Sequence, residues 1–416
     1  MKSLFNKIWS TKLVWLYILT MVVAFTPRYG NYTIGYKEPL LVGGLWVAVA
    51  FFRLLRKKNR ADIPQMKNLG FFLCAYLIPH VITHLYTLVL MLLGKVEWKY
   101  ITSNATVYIP VLVVLSAVYL FGAKALRYTL IAIIGAFVLS MVSSVILVGP
   151  HIIPDAILQA YFNQSSAKNY LELHDIVLAI GYIMVYYLYR GRKWERRDIA
   201  FLTCAISIGV LGMKRIVVLA ILACLAFAAL VHILPKKARY PICVVGGFGI
   251  LGGCFGFLWL MSKGDLFFNL MEKFNINTMG RIYYYRDVMA LADFHILYPG
   301  LGRNVVTQLL TTEMAYLRVA GVHSDIIKMY VENGFVMYGL WSAYHLIGFP
   351  ALLRKRFGDK VAVMGFAVTV YSFLLYLTDN IEIYFVCQTL AMMIPMCYAL
   401  RENEEAHLSG TLLADG

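Results

Sequence analysis

The chain has 416 residues, of which 61% are hydrophobic and 14% are charged, and its mean hydropathy is +0.70. This composition excludes a soluble globular domain. The formal net charge of +16 would suit nucleic-acid binding, but most of the cations lie in short loops between apolar runs. We therefore interpret them as determinants of membrane topology and expect no nucleic-acid partner.

Apolar runs of about 20 residues, the length that crosses the roughly 30 Å hydrocarbon layer, recur along the chain. These runs are continuous rather than alternating, so they predict helices and not barrel strands. The sequence predicts an all-α, polytopic membrane helix bundle. Its transmembrane helices, about twelve in number, fall over residues 12–27, 39–55, 69–93, 106–122, 128–148, 175–190, 199–213, 216–234, 240–262, 324–350, 361–378 and 382–400.

The spans divide the chain into four parts. Residues 1–262 contain spans one to nine, residues 263–323 form a large external loop, residues 324–400 contain the last three spans, and residues 401–416 form a short, polar cytoplasmic tail that we expect to be flexible. Basic clusters recur on one side of the predicted membrane, which places both termini in the cytoplasm. These clusters are residues 53–60, 124–127, 190–197, 235–239 and 354–356.

The first candidate site is the short external turn L-G-M-K-R, which ends in Lys214 and Arg215. A cation at the end of a membrane span must reach water or find a partner. Two interpretations stay open: a helix-end anchor, or a clamp for an anionic group at the membrane surface.

The large external loop is the longest stretch that hydropathy does not place in lipid. Its segment R-I-Y-Y-Y-R-D-V-M-A-L-A-D-F predicts an amphipathic helix over residues 281–294. At about 100° per residue, Arg281 and Arg286 lie roughly 140° apart, so they cannot both face one site squarely. Tyr284 and Tyr285 contribute to an apolar stripe on this helix. A solvated interfacial helix and a catalytic helix both remain open, although arginine suits a phosphate that must be gripped with defined geometry.

Two further motifs follow in the same loop. The segment from Pro299 to Arg303 is P-G-L-G-R, which predicts a turn; a backbone that cradles phosphate is the alternative. His323 precedes the next apolar helix and is either a helix cap or anchor, or a general base. Lys328 and Glu332 are ionisable residues inside that apolar segment, and Glu332 lies on the opposite helical face from His323.

Several motifs are absent from the sequence. No D-x-D pair occurs in an external loop, and no H-E-x-x-H, Walker A or G-x-S-x-G motif occurs anywhere. If the chain catalyses a reaction, we expect it to use cationic side chains, with no metal and no cofactor.

At this point the sequence resembles the O-antigen polymerases and O-antigen ligases of bacterial surface-polysaccharide assembly. Three motifs appear in the order of that family. They are Arg215 in the short external turn, Arg281 at the start of an aromatic helix that leads to Y-P-G-L-G, and His323 at the start of H-S-D-I-I-K-M-Y-V-E-N-G. The motifs cover residues 211–341. Lys214 and Ser324 depart from the family pattern, where a small polar residue and asparagine are more common.

The resemblance implies a GT-C-like membrane fold with its active site on the external face of the bacterial inner membrane. It also implies an inverting, metal-independent glycosyl transfer from an undecaprenyl-diphosphate-linked oligosaccharide. Arg215 and Arg281 would stabilise the diphosphate leaving group, and His323 would accept the proton of the acceptor hydroxyl. Other residues implied in substrate binding are Lys214, Tyr284, Arg286 and Arg303.

The acceptor and the class of protein have alternatives. We favour a polymerase, which transfers the glycan to another lipid-linked repeat unit, over a ligase, which transfers it to lipid A–core, because the chain is rich in tyrosine. A flippase for lipid-linked sugars is the alternative of another class, but the candidate cations collect on one face of the membrane. Expected partners are the lipid-linked oligosaccharide and membrane lipid, and a chain-length regulator protein is a candidate partner.

Overall fold

The structure of the protein is a computed structural model. It describes residues 2–26, 28–29, 32–33, 37–56, 63–97, 107–151, 154, 174–191, 195–212, 214–263, 265–274, 280–314 and 321–414. The basic clusters at 53–60 and 190–197 lie partly outside the described residues.

Helices account for nearly all of the described secondary structure. The only strands in the described part of the chain are β1 (Arg28–Tyr29) and β2 (Tyr32–Thr33), which pair antiparallel. The helices of the first two thirds are α1 (Lys2–Phe25), α2 (Lys37–Arg56), α3 (Ile63–Leu92), α4 (Tyr108–Phe121), α5 (Lys124–Val148), α6 (His174–Tyr189), α7 (Arg196–Gly212), α8 (Arg215–Ile233) and α9 (Arg239–Ser262).

The last third begins with three short helices and continues with longer ones. These elements are α10 (Asp265–Lys273), α11 (Arg281–Met289), α12 (Val305–Thr311), α13 (Asp325–Ala343), a π-helical turn (Tyr344–Gly348), α14 (Phe349–Phe357), α15 (Asp359–Tyr376) and α16 (Phe385–Ala414). Single 3-10 turns lie at Lys236–Ala238 and Ile381–Ile383.

The described residues contain seven helical segments long and apolar enough to cross a membrane. Three further apolar helices, within α1, α4 and α6, are shorter. The protein is therefore all-helical and consistent with a multi-pass membrane protein. Each of the twelve segments predicted from hydropathy overlaps a helix of the structure.

Three predicted elements differ from the observed ones. The helix expected over 281–294 ends at Met289, and the chain then turns. The span expected over 324–350 is interrupted, because Gly334 adopts a non-helical conformation inside α13. The tail expected as a flexible segment after residue 400 instead continues α16 up to Ala414.

The chain forms two compact units. The first contains residues 1–73, 108–228 and 384–416, and the second contains residues 74–107 and 229–383. In the first unit α1 packs on α5, α2 packs on α4, and α16 packs on α4 and α6. In its core the Tyr17 hydroxyl lies 2.8 Å from the Thr129 hydroxyl, which satisfies two buried polar groups.

The second unit is organised around α9, α13 and α15. Helix α9 packs on α13, on α15 and on the π-helical turn, and α14 packs on α15. The close approach needs glycine in α9: a Cβ atom at Gly247 would lie 2.9 Å from the carbonyl oxygen of Leu346. Small residues allow helices in a membrane to pack closely in this way. Together these helices support the segments that carry the candidate site.

Candidate functional site

The start of α13 holds the backbone beside His323. Ser324 is the N-cap, and its hydroxyl accepts a hydrogen bond from the amide of Ile327 at 3.4 Å. The same hydroxyl donates to the carbonyl of Tyr376 at 3.2 Å. Serine suits the position because its short side chain reaches the unpaired amides of a first helical turn. Ser324 therefore holds the backbone next to His323.

His323 itself has an uncommon backbone conformation. Its φ is +55°, in the left-handed region, which costs an L-residue about 1–2 kcal/mol although histidine is enriched there. The carbonyl of His323 accepts a hydrogen bond from the Tyr285 hydroxyl at 2.8 Å. Burial raises the pKa of Tyr285, so this hydroxyl stays protonated and keeps donating. The surroundings hold a strained residue in place, a feature that concentrates at functional positions.

The side chain of Arg281 is held by a hydrogen bond to the segment that follows α15. It is the first residue of α11, and its Nη1 atom donates to the carbonyl of Thr378 at 2.6 Å. Tyr285, one turn later on α11, reaches His323. Thr378 lies two residues after the end of α15, and His323 lies two residues before the start of α13. Helix α11 therefore contacts both segments, through Arg281 and through Tyr285.

The other two candidate residues on α11, Arg286 and Tyr284, lie in different surroundings. The Arg286 side chain is 53% exposed and lies 3.5 Å from the carboxylate of its neighbour Asp287. Tyr284 is half-buried. The contact with the histidine segment is made by Tyr285 and not by Tyr284, one helical position away. The predicted angular separation of Arg281 and Arg286 is thus seen in their different partners.

The P-G-L-G turn docks onto the break in α13. The amides of Leu301 and Gly302 donate to the carbonyls of Val331 and Glu332 at 2.9 and 2.8 Å. In the opposite direction, the amide of Phe335 donates to the carbonyl of Tyr298 at 3.0 Å. These amides are occupied by protein carbonyls, which favours the turn interpretation over a phosphate cradle.

Arg303, directly after this turn, is buried and engaged by protein groups. Only 2% of its side chain is exposed, and its Nη2 atom is hydrogen-bonded to the Glu382 carboxylate. Its Nη1 atom donates to the Thr83 hydroxyl at 3.2 Å, and its amide donates to the Thr87 hydroxyl at 3.0 Å. The structure thus places Arg303 in an ion pair, and its predicted role in substrate binding stays a prediction.

Glu382 is the residue that sequence reasoning missed. Its carboxylate also lies 3.6 Å from the ammonium group of Lys328. The buried carboxylate thus faces two cations, the guanidinium of Arg303 and the ammonium group of Lys328, which compensate its charge. The available signal was a carboxylate in the polar segment T-D-N-I-E after a long apolar span.

Lys214 and Arg215 belong to the first unit. Lys214 is 9% exposed and lies directly before α8, whereas Arg215 is the first residue of α8 and is exposed. Both the anchor and the anion-clamp interpretation remain open for this pair. Within the described ranges, no three His, Cys, Asp or Glu side chains are grouped so that they could hold a metal ion.

The fold and these contacts define an all-helical protein, consistent with a multi-pass membrane protein, in which the helix that carries Arg281 contacts the backbone of His323 in the second unit. Comparison of the chain with protein-family models and with curated proteins gives no match. The functional assignment therefore rests on the site and on the sequence motifs.

Proposed function

We propose that this protein is a polymerase of surface-polysaccharide repeat units. It transfers the growing glycan from undecaprenyl diphosphate to another lipid-linked repeat unit at the external face of the bacterial inner membrane. The observation that carries the proposal is the contact between the motif that begins at Arg281 and the motif that begins at His323. The Tyr285 hydroxyl, one helical turn after Arg281, donates to the carbonyl of His323.

The chemistry requires a base and a cation, and these residues supply both. The acceptor hydroxyl loses its proton to the imidazole of His323, and its oxygen forms a bond to the anomeric carbon of the donor. The bond between that carbon and the diphosphate oxygen breaks, and the diphosphate leaves with the electron pair. Attack from the face opposite the leaving group inverts the anomeric centre.

Arg281 is suited to the leaving group because of its spare hydrogen-bond donors. A guanidinium has five N–H donors, and Nη1 of Arg281 donates to the carbonyl of Thr378, which fixes the head group. The remaining donors can bind a phosphate in the bidentate manner of arginine. A fixed cation in a partly dry site stabilises developing charge more strongly than it would in water.

Arg215 enters the proposal through the resemblance alone, as a second cation for the donor diphosphate. Its exposed position at the start of α8 leaves it accessible to a lipid-linked anion. Its own variant, Arg215→Ala, tests that role separately from the site in the second unit.

The experiment uses the full chain in nanodiscs with a lipid-diphosphate-linked oligosaccharide and no added metal. A ladder of longer lipid-linked glycans on a gel is the expected result. Transfer only when lipid A–core is supplied would make the protein a ligase. Movement of labelled lipid across the bilayer without any glycan product would exclude the enzyme and favour a flippase.

For Arg281→Ala we expect the rate of ladder formation to fall by about 10²–10³-fold, the effect of losing one fixed group that stabilises a developing anion. Arg281→Lys keeps the charge but loses the planar fork, so we expect an intermediate rate. Initial rates at saturating donor, normalised to folded protein, measure both variants.

Arg197→Ala is the control for loss of a cation. This arginine is exposed in the first unit, and its pair with Glu195 at 2.6 Å lies at the surface, where ion pairs contribute little. We expect its rate to stay within about twofold of wild type. Equal rates for Arg281→Ala and Arg197→Ala would remove Arg281 from the proposed mechanism.

A further inference from the structure

The buried ion pair between Arg303 and Glu382 joins segments that are 79 residues apart. We infer that this pair is a positioning element for the transfer reaction, which holds the start of α13 and the segment after α15 in the arrangement that brings His323 and Arg281 together. The inference rests on the proposed function, because it assigns Arg303 and Glu382 a role in that reaction. In this role the two side chains act through the backbone segments that they hold and need no contact with the substrate.

Glu382 is connected directly to the helix start that follows His323. Its backbone amide donates to the Asp325 carboxylate at 2.8 Å, and the amide of Asp325 donates to the carbonyl of Asp379 at 3.2 Å. The segment 379–382 is therefore bonded twice to the first residue of α13. A shift of Glu382 would therefore displace Asp325, which lies two positions after His323.

The same segment carries the acceptor for Arg281. Thr378, whose carbonyl receives the Arg281 guanidinium, lies four residues before Glu382 and directly before Asp379. One short stretch of backbone thus touches the elements that carry both proposed catalytic residues. Its position is set at the far end by the side chain of Glu382, which is buried with 4% exposure.

Arg303 attaches Glu382 to helix α3. Thr83 and Thr87, one turn apart on α3, accept from its guanidinium and from its amide. Lys328 on α13 contacts the other oxygen of the Glu382 carboxylate. Glu382 therefore bridges a cation attached to α3 and a cation on α13, and its loss would release both contacts at once.

A purely stabilising ion pair is the competing explanation, and buried ion pairs are weak evidence for stability. The chain contains a comparable pair far from His323 in sequence. In the first unit Nη2 of Arg190 lies 2.6 Å from the Asp198 carboxylate, and both side chains are buried. The Asp198 carboxylate also accepts a backbone hydrogen bond, from Glu195 at 2.9 Å. Asp198→Asn thus matches Glu382→Gln in chemistry and in burial.

The test compares these two variants in nanodiscs by steady-state kinetics and by hydrogen exchange. For Glu382→Gln we expect kcat to fall at least tenfold, with the KM for the lipid-linked donor within twofold of wild type. We expect several-fold faster exchange in peptides covering 321–327 and 377–383. For Asp198→Asn we expect kcat within twofold, and faster exchange confined to the peptides around residues 187–200.

A double variant, Arg303→Met with Glu382→Gln, guards against a folding defect, because it removes the guanidinium that Glu382→Gln alone would leave buried without its carboxylate partner. If the pair positions the site, kcat stays low in the folded double variant. Recovery of wild-type kcat would show a stabilising role only and would overturn the inference. If wild type forms no glycan product, the proposed function fails, and hydrogen exchange still decides: unchanged exchange at 321–327 in Glu382→Gln overturns the positioning role.

Discussion

Gly334→Ala is expected to lower the melting temperature of the purified protein by about 10 °C, which corresponds to roughly 3–5 kcal/mol in a unit of this size. Gly334 has φ +75°, and a Cβ atom there would overlap backbone atoms of Tyr298 and Pro299. Gly300 is its counterpart, because a Cβ atom there would overlap backbone atoms at Glu332 and Gly334. Neither neighbour can give way by rotating a side chain, so Gly300→Ala should be equally harmful.

Gly358→Ala separates the cost of the backbone conformation from the cost of steric overlap. This glycine has a similar φ of +88° in the same unit, but nothing lies within 4 Å of its added Cβ atom. Its ψ is 178°, a combination of angles that is almost restricted to glycine, so we expect a loss of about 1–3 kcal/mol from the backbone conformation alone. Thermal unfolding followed by size-exclusion chromatography measures all three variants. Melting temperatures that fall equally for Gly334→Ala and Gly358→Ala would contradict the interlocked packing of the P-G-L-G turn and α13.

Hydropathy predicts where the helices of this protein lie, because an apolar run of sufficient length has to satisfy its backbone within a helix. It does not predict the break in α13. The run 324–350 reads as one span, and Gly334 in it looks like any glycine of a membrane helix. The break is produced by Gly300 and its neighbours, which belong to a distant turn and supply the hydrogen bonds that the interrupted helix needs.

In the candidate site, too, the sequence predicts the local features but not the contacts between distant segments. The order of Arg281 and His323 in the sequence suggests a shared role, but their connection depends on Thr378 and Tyr285, which no local pattern selects. The helical angle does predict that Arg281 and Arg286 have different partners. Glu382 was missed because ion pairing depends on three-dimensional neighbours, and its partner Arg303 looked like a free loop cation.

For His323→Asn we expect the rate of glycan transfer to fall by about 10²–10⁴-fold, the contribution of a positioned general base. Asparagine is the informative replacement because it tolerates the left-handed backbone that His323 adopts with φ +55°. It removes the imidazole and leaves the backbone carbonyl that accepts from Tyr285. The variant should therefore keep the wild-type melting temperature while losing activity.

His323→Ala should lose the same activity and, in addition, about 1–2 kcal/mol of stability, because alanine pays the full cost of the left-handed conformation. His295→Asn is the control, since His295 lies exposed in the same loop and its Nδ1 accepts only a local amide, that of Leu297 at 3.2 Å. Its rate should match wild type. A folded His323→Asn protein that still builds the glycan ladder at the wild-type rate would exclude His323 as the base. Arg281 would then have to act with another proton acceptor at the start of α13.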